Sequence, residues 1–146
     1  EYKRDNLNFK EFIIKNSLVE FNPNDLLAIS KSGQVIFGGR SNDVFLFSSV
    51  LISPMEIEEV VYKNKKVKDC VAFGANSDTY GKVPMVLLTI NKTEDVNQVI
   101  SEIKNLTMNE LGRKRPLKII ITNDIPKGAT NKPLRKELSK QYSLKI

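Results

Sequence analysis

The apolar positions of this chain fall into two rhythms. Val67–Phe73, Val83–Ile90 and Leu117–Thr122 are compact apolar or β-branched runs, the pattern of buried strands. Between and after them, apolar residues recur at helical spacing: Ile57, Val60 and Val61; then Val96, Val99, Ile100, Ile103 and Leu106; then Leu134, Leu138 and Tyr142. The flanking residues predict where these helices start. Ser53 is placed to cap the first, with Pro54 at the first helical position and Glu56 closing a capping box. Lys63 and Lys65 lie at its C-terminal end, where cations are favoured. Thr93 is placed to cap the second helix, with Glu94 and Asp95 in its first turn, and Pro133 to open the last. The polar residues of 74–81 predict the turn between the first two strands.

Upstream the pattern changes. Phe9, Phe12 and Ile13 predict a short helix over residues 5–15. Val19–Phe21, Leu26–Ser30 and Gln34–Phe37 read as strands, separated by the turn formers Asn22-Pro23-Asn24-Asp25 and Lys31-Ser32-Gly33. Gly38-Gly39 breaks the alternation and the polar Arg40-Ser41-Asn42-Asp43 follows, which puts a boundary between residues 1–40 and 41–146. The order after it is β-α-β-β-α-β-α. The fold class expected is α+β: a small three-stranded sheet covered by helices, preceded by a short all-β segment too small to fold alone.

Composition narrows the chemistry. The 146 residues contain no histidine, which removes Ser-His-Asp and Cys-His nucleophiles, the common zinc sites and imidazole acid–base catalysis. No metal site is expected. The single cysteine, Cys70, cannot form an internal disulfide, and the charged start Glu1-Tyr2-Lys3-Arg4-Asp5 is no secretory signal, so a cytoplasmic protein is expected. No apolar run is long enough to span a membrane. Net charge is +6 and the pI about 9.4, a balance suited to a polyanionic partner such as a nucleotide. The chain lacks an initiating methionine and reads as a piece of something longer.

The most informative segment is Pro126-Lys127-Gly128-Ala129-Thr130-Asn131-Lys132-Pro133-Leu134-Arg135. Its Gly/Thr/Asn turn is expected to be mobile, with Lys132 at its end, just before a helix. That arrangement suits an ammonium that neutralises phosphate or carboxylate charge in a site elsewhere. Taken alone, such a lysine is more simply solvated. Arg113-Lys114-Arg115 with Lys118 could touch nucleic acid or the phosphates of coenzyme A. No aromatic platform is interleaved with it, so a solvated connection is the simpler reading and no nucleic-acid partner is expected. Cys70 reads as a small buried apolar residue, and Glu56, Glu58 and Glu59 as acids of a helix's first turn.

Five segments in register carry a resemblance: Gly39-Arg40-Ser41-Asn42-Asp43, Ile52-Ser53-Pro54-Met55-Glu56-Ile57-Glu58, Tyr80-Gly81-Lys82-Val83-Pro84, Lys114-Arg115-Pro116 and Pro126–Lys132. From about Phe21 to Leu138 the chain resembles the C-terminal part of the adenylate-forming superfamily, which contains acyl- and aryl-CoA synthetases, nonribosomal-peptide adenylation domains and luciferases. The resemblance implies that residues 1–40 end a large N-terminal AMP-binding domain and that residues 41–146 are the rotating C-terminal domain. It implies roles residue by residue. Lys132 matches the lysine that contacts carboxylate and α-phosphate during adenylation. Asp25 matches the aspartate of a Thr-Gly-Asp motif that holds the ribose hydroxyls, and Arg40 the arginine beside that ribose. Asn42 matches the hinge, where the family usually has Asp or Lys. Ser48 and Ser49, within Phe47-Ser48-Ser49-Val50-Leu51, match the loop that lines the pantetheine channel.

Besides Asn42, three places depart from the family pattern, each involving a position where it usually has glycine. The ribose motif reads Pro23-Asn24-Asp25; the usual Gly-Gly is Ser48-Ser49; and the residue before Lys132 is Asn131, an arrangement that resembles the o-succinylbenzoate-CoA ligases. The implied function is that of an ATP-dependent acyl- or aryl-CoA ligase working through an acyl-AMP. ATP, Mg2+ and CoA are the implied cofactors, with the Mg2+ site outside these residues. The implied partners are the nucleotide, the acyl substrate and an N-terminal domain. The alternatives are an adenylating enzyme that loads a carrier protein, and a non-catalytic, stand-alone basic module of the same fold. The acid itself is not legible, and the 146 residues alone are expected to be inactive.

Overall fold

A computed structural model describes residues 10–11, 14–15, 20–21 and 24–144, and divides into two units, Glu1–Val44 and Phe45–Ile146. In the first unit the described strands are β1 (Lys10–Glu11), β2 (Ile14–Lys15), β3 (Glu20–Phe21), β4 (Asp25–Ile29) and β5 (Val35–Arg40). β1, β4 and β5 form one antiparallel sheet, and β2 pairs with β3. The helix expected over 5–15 is corrected here: its described residues are strands, Lys10 facing Leu27 and Glu11 facing Leu26. Pairing with a distant strand overrides the local period. Phe9, Phe12 and Ile13, which suggested the helix, lie outside the described residues.

Gly38-Gly39 does not end its strand. Leu26 pairs with Gly39 and Leu27 with Phe37, so Gly38 is the extra residue of a bulge. Gly39 sits at φ 104°, which a side chain rarely adopts, and the ladder continues to Asp25 opposite Arg40. A turn closed by the Asp43 amide on the Arg40 carbonyl (3.0 Å) follows.

The second unit runs β6 (Phe45–Phe47), β7 (Val50–Ile52), α1 (Pro54–Val61), β8 (Val67–Ser77), β9 (Gly81–Ile90), α2 (Val96–Leu111), β10 (Lys118–Ile121) and α3 (Arg135–Gln141). The three-stranded sheet has the order β10-β9-β8, with β8 antiparallel and β10 parallel to β9. Successive strand residues point to opposite faces, and both faces are covered. Cys70, Ala72, Val86 and Leu88 pack with Ile57 and Val61 of α1 and Val99 and Ile103 of α2. Val71, Phe73, Ala75, Met85 and Leu87 pack on the other face with Ile125 and Leu138 of α3. This explains why β8 and β9 are continuous apolar runs. The expected α+β fold, a small three-stranded sheet covered by helices, is the one found.

Several boundaries differ from expectation. β8 and β9 extend to Ser77 and from Gly81, so the turn shrinks to 78–80; the ladder needs backbone groups, not apolar side chains. Ser53 and Pro54 do start α1, but the Ser53 side chain does not cap it. Glu56 pairs instead with Lys114 at 3.2 Å. Asp95, not Thr93, caps α2, its carboxylate accepting from the Gln98 amide at 2.7 Å. Pro133 pairs with Lys127 in an isolated bridge, and α3 begins at Arg135. Among the described residues no helix is long and apolar enough to cross a membrane.

Candidate functional site

Residues 127–133 form a tight hairpin, where a mobile turn was expected. The Asn131 amide donates to the Gly128 carbonyl and the Gly128 amide to the Lys132 carbonyl, both at 2.9 Å. Asn131 sits at φ 58°, the left-handed residue of a three-residue hairpin loop. Lys132 follows it, exposed, and no described side chain takes its ammonium.

The leading stem of this hairpin and the start of α3, just behind it, are both tied to β8 on the edge away from β9. On the leading stem, Lys127 donates to Oδ2 of Asp69 at 2.6 Å. Oδ1 of Asp69 accepts from the Tyr62 hydroxyl (2.8 Å) and the Cys70 amide (2.9 Å). Partial burial pushes the Asp69 carboxyl up, but the hydrogen bonds from Lys127 and Tyr62 outweigh it and hold it below its ordinary value. At the start of α3, Arg135 donates to Oε1 of Glu58 at 2.7 Å and to the Ala72 carbonyl at 3.1 Å. The same Glu58 oxygen accepts the Ala72 amide at 2.8 Å. Farther along, the Gly74 carbonyl accepts from Ser139 (2.6 Å) and the Asn76 carbonyl from the Leu144 amide (2.7 Å). Lys82 donates to Asn76 Oδ1 and Ser139 Oγ, and burial lowers its pKa. Glu58 and Asp69 were missed as site residues by sequence reasoning, since only the fold brings them to the hairpin.

Ser48 and Ser49 are the two loop residues of the β6–β7 hairpin, with Phe47 paired to Val50. Their φ values are 47° and 64°, positive at both central positions as a type I′ turn requires. The basic cluster lies beside this turn: Arg113 donates to the Ser48 carbonyl (3.4 Å), and Lys114 holds Glu56. Arg115 donates to the Gly112 carbonyl at 3.0 Å.

In the first unit, Arg40 and Asp25 are cross-strand neighbours, with Nε 3.1 Å from Oδ1. The contact is an ion pair without an aligned hydrogen bond: Asp25 Oδ1 and Ser41 Oγ are buried with no hydrogen-bond partner. Such atoms are uncommon and mark a place where a donor or acceptor is missing. Asn24, just before Asp25, has φ 58°. Asn42 is exposed, in the turn that follows β5. Lys132 belongs to the other unit. Among the described residues no cluster of acids or cysteine could hold a metal ion.

A small mixed sheet with helices on both faces, preceded by a strand-rich unit, is the architecture of the C-terminal part of an adenylate-forming enzyme. The AMP-binding enzyme C-terminal domain model matches residues 56–132, just over half of the chain, and the chain belongs to that family. A 2-succinylbenzoate–CoA ligase of Lactococcus lactis is 28% identical over 119 residues, 81% of this chain and 25% of that protein. The structure of an anthranilate CoA ligase in complex with anthranoyl-AMP is similar at TM-score 0.75 and 22% identity, covering 84% of this chain and 25% of that one. An o-succinylbenzoate CoA synthetase of Bacillus subtilis, in complex with its acyl-adenylate intermediate, is similar at TM-score 0.72 and 24% identity, over 87% and 26%. The chain thus spans about a quarter of the length of the relatives it matches.

Proposed function

We propose that this chain is the C-terminal part of an AMP-forming acid–thiol ligase, in which Lys132 serves the adenylation step. The reading rests on one observation above all. Lys132 is exposed at the end of a hydrogen-bonded hairpin, with Lys127 before it ion-paired to Asp69 of β8 and Arg135 after it ion-paired to Glu58 of α1. Its ammonium is thus free while its backbone is held on both sides. In the first half-reaction a carboxylate oxygen attacks the α-phosphorus of ATP and pyrophosphate leaves. Two anions approach each other, so a cation at the point of contact lowers the barrier.

The other assignments follow the same logic. Asp25, whose carboxylate can accept several hydrogen bonds, would take hydroxyl donors of the ribose, and Arg40 would lie beside it. Asn42 would be the pivot, two residues before the last residue of the first unit. The Ser48-Ser49 turn would line the passage for the pantetheine thiol of CoA, its backbone in the conformation a glycine pair would take. No step is assigned to a metal held by these residues.

The test is Lys132→Ala in the full-length enzyme, followed by carboxylate-dependent pyrophosphate release. Adenylation should slow by roughly 10²–10³, while thioester formation from supplied acyl-AMP should change little. Lys136, exposed on α3, is the control; equal losses at 132 and 136 would refute the assignment. The 146 residues alone should release no pyrophosphate.

A further inference from the structure

The two ion pairs flanking Lys132 repeat one arrangement. In each, a carboxylate accepts an outward amide of β8 and a cation close to Lys132 in the chain: Asp69 takes the Cys70 amide and Lys127 of the hairpin, and Glu58 takes the Ala72 amide and Arg135 of α3. The two amides are two residues apart on the same strand edge, so both carboxylates meet β8 along that edge. The cations flank Lys132, five residues before and three after it. Arg135 also reaches the Ala72 carbonyl, which makes the trailing tie three-sided. All four charged side chains are partly shielded, from 16% exposed for Glu58 to 31% for Lys127, so solvent screens them less than open surface pairs.

From this geometry we propose that Glu58 and Asp69 are positioning residues for adenylation: Asp69 fixes the leading stem of the hairpin and Glu58 the residue that opens α3 behind it, and together they set where the Lys132 ammonium stands. The proposal rests on the Lys132 reading and adds to it. Neither acid touches substrate. Their effect passes through Lys132, because a displacement of about 1 Å at a catalytic group can cost up to about 10² in rate.

Glu58→Gln and Asp69→Asn in the full-length enzyme keep the amide-accepting oxygens and remove the charges. Each should lower kcat for adenylation by about 10-fold with little change in the KM for ATP. Thioester formation from supplied acyl-AMP should hold. Amide hydrogen exchange at Gly128 and Asn131 should quicken, with the apparent melting temperature little changed. The deciding measurement is a double-mutant cycle with Lys132→Ala. If the acids act through Lys132, adding Glu58→Gln to Lys132→Ala should slow adenylation no further. Full additivity, or no effect of either acid variant, overturns the positioning role. Should Glu58→Gln fail to fold, Arg135→Lys serves in its place, since lysine lacks the rigid planar fork with which Arg135 holds Glu58 and the Ala72 carbonyl together. A harmless Lys132→Ala would sink the reading of Lys132 itself, and the positioning role with it. A damaging Lys132→Ala beside a neutral or additive Glu58→Gln would sink only the positioning role.

Discussion

The Phe45 ring stands where a side chain at Gly74 would have to go: a Cβ on Gly74 would lie 2.9 Å from Cγ of Phe45 and 3.0 Å from both Cδ atoms. Gly74 has an ordinary strand backbone, so the requirement is steric and comes from the β6–β7 hairpin resting on the sheet. Gly74→Ala should therefore cost about 1–3 kcal/mol, the range for overpacking. Phe45→Ala should relieve the clash, so the double variant should lose less than the sum of the single losses. Urea unfolding of the four proteins measures the coupling; additive losses would place the ring elsewhere.

Ser48 and Ser49 lead to a stability gain. Left-handed backbone costs an L-residue about 1–2 kcal/mol, against about 0.5–1 kcal/mol for the greater freedom glycine loses on folding. Replacing both serines by glycine should raise the melting temperature by a few degrees and leave thioester formation in the full-length enzyme intact. A lower melting temperature would mean that the hydroxyls hold the turn. Asn131→Gly should gain less, because asparagine tolerates left-handed φ better.

Much of the architecture was legible in the sequence because it is local. β-Branched runs marked the strands, and helical spacing marked α1, α2 and α3. Glycine and its stand-ins were informative too. Among the described residues the non-glycines at positive φ are Asn24, Ser48, Ser49 and Asn131, the four positions read from the sequence as standing in for a glycine of the resembled family. What escaped was tertiary. Lys10 and Glu11 pair with a strand fifteen or more residues away, Glu56 chooses Lys114 over a capping box, and Glu58 finds Arg135. No local period encodes these partners. Lys132 could be singled out from its segment, whereas Asp69 and Lys127 looked like ordinary surface charges.

Burial pushes the Cys70 thiol up to about 12, with the Glu58 carboxylate adding to the effect. The native thiol should thus resist alkylation at pH 8 and react once urea unfolds the chain. Because the folded pKa is raised, the thiol favours the native state fully below about pH 9, its ordinary value, and that contribution declines as pH climbs toward 12. Rapid labelling of the native protein would show that Cys70 is reachable.

Arg40 offers a clean separation of binding from stability. Its side chain is 52% exposed, and an exposed ion pair is worth about 0–1 kcal/mol. Arg40→Ala should leave the melting temperature nearly unchanged. In the full-length enzyme it should weaken ATP binding, read by isothermal titration. Unaltered affinity would remove Arg40 from the nucleotide site.

The hydrogen bonds along the outer side of β8 have a consequence for the protein's solubility. Unoccupied strand edges recruit other strands. Here Glu58, Arg135, Ser139 and Leu144 occupy the outward groups of Ala72, Gly74 and Asn76. Three of those four come from the last dozen residues of the chain. A protease that clipped the tail before Arg135 would strip most of that edge and, by removing Leu138, also uncover part of the sheet face that α3 covers. The clipped protein should polymerise edge to edge, visible as rising light scattering, while the uncut chain stays dispersed.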